Sequence, residues 1–141
     1  MAVTANNVVT PQTPNRGVVR FVGTTDTTLS DKAIYTAGTN GSKVLGLTAT
    51  NAGTAHNLTL AVNNGGTRYV LNTLSLTASA GQNGSTAPIA CMSIANWPGL
   101  AIDNNGNPYV LLDSGDTLEG QYATAQATGD TISLYTVAVD F

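Results

Sequence analysis

The chain has 141 residues, of which 42% are apolar and only 9% charged, against about 25% charged in a typical soluble domain. That length fits one domain with a core of its own, and the composition argues against a disordered chain, which pairs low hydrophobicity with high net charge. Five Lys/Arg against eight Asp/Glu cannot neutralise many phosphates, one Cys forbids an intrachain disulfide framework, and no apolar run approaches the ~20 residues of a membrane span. No nucleic-acid or membrane partner is therefore expected.

Residues 1–16 read as an extended arm. Pro11 and Pro14 and the residues before them favour open or polyproline-like backbone, and no periodicity is visible around Val8-Val9. The opening lacks both a basic region and an apolar stretch, so a secretory signal is not expected and synthesis in a cytosol is. Residues 17–141 read as a single domain of short strands rich in Thr, Val, Ile and Tyr. The first candidates are Gly17 to Val22, Lys32 to Ala37 and Lys43 to Thr50. Asn57 to Val62 alternates cleanly, with Leu58, Leu60 and Val62 on one face. Thr67 to Leu71 and Leu74 to Ala78 follow as two segments. Ala87 to Ile94 is apolar on both parities, which predicts a central or doubly covered strand. Tyr109 to Leu112, Thr117 to Thr124 and Thr131 to Phe141 complete the set; the last carries Ile132 and Leu134 on one parity and Tyr135, Val137 and Val139 on the other.

Asn-Gly recurs at 40–41, 64–65, 83–84 and 105–106, between apolar runs. Both residues tolerate positive φ, so each pair predicts a tight hairpin. No stretch shows helical periodicity. The expected fold is an all-β antiparallel sandwich of jelly-roll type, with the N-terminal arm outside it.

Charge is uneven along the chain. Arg16, Arg20, Lys32, Lys43 and Arg68 all precede Tyr69, whereas Asp103, Asp113, Asp116, Glu119, Asp130 and Asp140 follow it. Either the two parts intermix in one fold, or one copy presents a basic part to a neighbour's acidic part.

No catalytic constellation emerges. His56, the one histidine, has no nucleophile partner in any recognisable motif and reads as a turn residue. One His and one Cys cannot build a zinc site. Cys91 reads as a small buried hydrophobe with no cation near it in sequence. Asp113, Asp116 and Glu119 form the densest acidic group; paired acids cut sugars and oxygen-rich loops bind calcium, but Asp-Ser-Gly-Asp reads better as a turn. Asp103 to Asn107 likewise reads as a hairpin loop. Trp97 sits in Trp-Pro-Gly; it fits a core edge or a subunit interface better than a platform for a sugar ring. No catalytic residue, metal ligand or cofactor is expected.

The opening Met1-Ala2-Val3-Thr4-Ala5-Asn6-Asn7-Val8-Val9-Thr10-Pro11-Gln12-Thr13-Pro14 resembles the start of a family of small structural proteins of tailed bacteriophages. Further resemblance lies in Tyr35 to Val44, in the Gly115-Asp116-Thr117-Leu118 turn and in the closing Asp140-Phe141. The resemblance implies a virion β-sandwich protein, a decoration or cement protein on the outer surface of the head. It also implies the major capsid protein and further copies of the chain, in a trimer, as partners. The arm residues Val3, Thr4, Asn6, Asn7, Val8, Val9, Pro11 and Pro14, together with Trp97, are then the expected partner interface, with the valines as anchors on a neighbour's sheet edge. The alternative is a neck, tail or fibre-borne module that binds host glycan.

Overall fold

The computed structural model describes residues 13–26, 30–122 and 128–141. Ten strands are found among them: β1 (Thr13–Val22), β2 (Asp31–Thr36), β3 (Ser42–Ala52), β4 (His56–Asn64), β5 (Thr67–Leu76), β6 (Ile89–Ala90), β7 (Ala101–Ile102), β8 (Pro108–Leu112), β9 (Thr117–Tyr122) and β10 (Thr131–Asp140). The chain is all-β and forms two antiparallel sheets. The first has the order β1-β10-β3-β8-β7, with β6 pairing a further stretch of β3; the second has the order β2-β9-β4-β5. Of the connections between long strands, only β4 to β5 stays within one sheet; each of the others crosses to the opposite sheet.

The alternating sequence pattern decides which side chains face inward. Phe21, Val44, Leu47, Ile132 and Leu134 project from the first sheet, and Ile34, Leu58, Leu60, Leu76, Leu118 and Tyr122 from the second; together they form one buried cluster. Phe21 meets Tyr122 edge to face, with ring centroids 5.1 Å apart and planes at 87°, a favoured aromatic geometry. At one corner the backbones approach so closely that Gly17 has no room for a side chain: a Cβ there would lie 2.0 Å from the Ile34 carbonyl oxygen.

Several expectations need correction. β1 begins at Thr13, so residues 13–16, expected as the end of the arm, pair with β10 from Thr13↔Asp140 to Arg16↔Val137. The rest of the arm lies outside the described residues. The two segments expected between 67 and 78 are one strand, β5, whose register against β4 shifts at Leu60/Ala61; that irregularity interrupts the alternation. The expected central strand at 87–94 shrinks to Ile89–Ala90. Its apolar character has another cause: the turns after it bury Cys91, Met92 and Leu100 against the core, so beyond its two residues of pairing with β3 the segment acts as a lid on the core. β7 was not expected at all.

The Asn-Gly pairs divide. The loop between β4 and β5 is the two-residue Gly65-Gly66, with φ of 57° and 89°, a primed hairpin turn. Asn105-Gly106 closes the β7–β8 hairpin. Asn40-Gly41 instead lies on a crossing between sheets, and Asn83-Gly84 is a turn inside the long β5–β6 connection. Asn-Gly specifies a local reversal; whether the flanking strands pair is decided by the core.

Candidate functional site

Most of the chemically suggestive side chains are engaged in holding the fold. His56 is a buried first residue of β4, not a turn residue as expected. Its Nε2 lies 3.2 Å from Asp130 Oδ2, and the Thr54 hydroxyl donates to the same oxygen at 2.8 Å. These contacts fasten the β3–β4 turn to the start of β10. The Thr54 hydroxyl, and after it His56, hold the Asp130 carboxyl below its ordinary pKa. At the other end of β10, Asp140 accepts hydrogen bonds from Ser42 Oγ, Tyr35 Oη and Asn15 Nδ2, each at 2.5 Å. One carboxylate thereby ties β1, β2 and β3 to β10, across both sheets. The Ser42 and Tyr35 hydroxyls lower its pKa.

The acids singled out for catalysis or calcium do not converge. Asp116 accepts from Asn64 Nδ2 at 2.6 Å and from the Asp113 amide at 3.1 Å. Glu119 stands in β9, accepting from Asn63 Nδ2 at 3.0 Å. Asp103 Oδ1 accepts from the amides of Asn105 and Asn107, each at 2.9 Å, which shapes the β7–β8 hairpin. Burial pushes the Cys91 thiol up to about 12, so it stays protonated and is no nucleophile. Among the described residues no group of three or more His, Cys, Asp or Glu is placed to hold a metal ion. Trp97 is half-buried against the core in the β6–β7 loop.

The surface offers a clearer candidate. Apart from Tyr69 and Val70 at the edge strand β5, which are exposed, the outward positions of the β2-β9-β4-β5 sheet are mostly polar and pair among themselves. Thr59 and Thr73 share a hydrogen bond of 3.0 Å across β4 and β5, and Arg68 lies 3.1 Å from Asp31 and 3.9 Å from Glu119. The outward face of the first sheet differs. Val18 of β1 is 66% exposed, Tyr135 and Val137 of β10 are 47% and 38% exposed, and Leu45 of β3 is 43% exposed. They are contiguous: Val18 stands opposite Tyr135, and Val137 stands opposite Gly46, next to Leu45. The register of β10 against β3 shifts there and leaves Leu45 without a partner, so a β-bulge turns an extra apolar side chain outward. Two shallow depressions meet at Tyr135, one of about 440 Å³ between Val18, Thr48 and Tyr135, the other of about 460 Å³ bounded by Pro14, Arg16 and Val137.

Scattered exposed apolar residues are ordinary; a contiguous patch marks a binding surface. Of the expected interface residues, Pro14 lies on this patch and Trp97 does not line it. Val3, Thr4, Asn6, Asn7, Val8, Val9 and Pro11 lie outside the described residues. Val18, Tyr135 and Val137 were missed, although the signal was there: β10 is apolar on both parities, more than one core requires.

No protein-family model matches the chain, and no curated protein does. Solved structures do. A chain in the acidic stable capsid structure of Helicobacter pylori bacteriophage KHP30 superposes with a TM-score of 0.55 at 10% identity, over 92% of this chain and 90% of that one. A chain in the cyanophage Pam1 capsid asymmetric unit gives a TM-score of 0.45 at 16% identity, over 92% of this chain and 84% of that one. The first likeness establishes a shared fold over nearly the whole of both chains; the second, at its TM-score, adds no argument.

Proposed function

We propose that the chain is a non-enzymatic structural protein of a bacteriophage virion, a decoration protein that binds the outer surface of the head and stabilises it. The observation that carries this reading is the fold shared with a chain of the KHP30 capsid structure. The apolar outward face of β1, β10 and β3 gives the molecule a surface suited to the task. Cementing a shell needs area and hydrogen bonds across capsomer boundaries, and many weak contacts act together. We read the strand order as a jelly roll, because eight long strands wrap with all but one connection crossing between sheets. Rings of copies, trimers among them, suit the symmetry axes of a shell.

The test is direct. Purified chain is mixed with heads assembled without it, and the mixture is sedimented and then heated. The proposal predicts co-sedimentation to saturation and a higher temperature of genome release. Heads that neither bind the chain nor gain heat resistance contradict it.

A further inference from the structure

The virion reading leaves open what kind of surface the exposed face meets, and the charges on that face narrow it. This inference rests on that reading. Arg16 and Arg20 occupy outward positions of β1, on either side of Val18, and both are exposed. They are four steps of strand apart, so their stems stand about 13 Å from each other. Among the described residues neither guanidinium takes part in an ion pair, whereas Lys32 pairs with Asp26 and Arg68 with Asp31. The outward positions facing them on β10 and β3 are Ser133, Tyr135, Val137, Thr48 and Thr50, none of them acidic. A chain of net charge −3 thus keeps one face that is apolar and basic.

That combination selects a partner. Arginine keeps its charge beside apolar surface and matches a carboxylate with two parallel hydrogen bonds. The same face of a second copy is a poor match, because an isologous contact would set arginine against arginine. We propose that the β1–β10–β3 face docks on an acidic-rimmed apolar protein surface of the head. Val18, Tyr135 and Val137 cover its apolar centre, and Arg16 and Arg20 meet carboxylates about 13 Å apart.

The experiment compares the wild-type chain, R16E/R20E, R16Q/R20Q and the off-face control N57D for binding to heads assembled without the chain, at several salt concentrations. Thermal melts check that each variant is folded. The expected result is that wild-type binding weakens as salt rises. R16E/R20E is expected to lose about 100-fold in affinity at low salt and to bind more tightly as salt rises, because carboxylates then face carboxylates and salt screens their repulsion. R16Q/R20Q should fall between the two, and N57D should bind as the wild type does. Wild-type binding that R16E/R20E reproduces, with the same salt slope, overturns the proposal and leaves the virion reading standing. Wild-type chain that does not bind heads at all overturns the head-decoration reading itself. Two other outcomes also overturn the proposal by naming a different occupant of the face. In one, the double variant alters only self-association in sedimentation equilibrium; in the other, binding requires removal of residues 1–12.

Discussion

Single carboxylates at the two ends of β10 fasten the sandwich, and both are held below the ordinary aspartate pKa by groups that donate to them. A depressed pKa in the folded state makes each contribution complete above the unfolded value. It is lost as pH falls through the folded one. Melting temperature should therefore hold steady above about pH 5 and drop below about pH 4. D140N should melt lower than wild type at neutral pH and show a shallower acid drop, and a scan of melting temperature against pH checks both. Gly17→Ala is expected to destabilise by at least the ~1–3 kcal/mol of an overpacked site. The Cβ would meet a backbone oxygen, which cannot rotate away; urea unfolding measures the cost. Cys91 should resist thiol reagents in the native protein and react on unfolding, since it is fully buried. At this scale the sequence was partly legible. Cys91 read correctly from its apolar neighbours, but His56 did not. Its partner Asp130 lies 74 residues away, and only the fold brings them together.

Elements were legible where one face is buried and the other wet. Asn57 to Val62 alternates because β4 is such a strand, and its ends were placed within two residues. Segments with two apolar parities misled, because covering the core with turns and exposing an apolar face both produce them. Cys91 and Met92 lie in the first situation, Tyr135 and Val137 in the second. The β4–β5 hairpin gives a test of turn chemistry. Gly65 has φ of 57° and Gly66 of 89°, and Asn accepts the left-handed region far better than a β-branched residue does. Gly65→Asn should be near neutral, whereas Gly66→Val should cost about 1–2 kcal/mol or more. Paired thermal melts of the two variants decide it.

For the whole molecule, the uneven charge along the chain does not segregate into two bodies. β1 and β3, from the basic part, pair with β10, from the acidic part, so the two parts intermix. What survives is a difference between faces, with arginines that form no ion pair among the described residues on the apolar face and ion pairs on the other. This was hidden from the sequence because it depends on strand order and on the bulge that exposes Leu45. The sandwich class was legible from alternation and turn residues. The pairing order was not, because long-range register leaves no local trace. The role proposed for the chain is lattice-wide on the head, and it is tested most directly by the copy number of the chain in purified virions, measured by quantitative mass spectrometry against the major capsid protein. A copy number of the same order as that of the major capsid protein is predicted. A small fixed number per particle, as a neck, tail or fibre component would have, or absence from the particle, would contradict it.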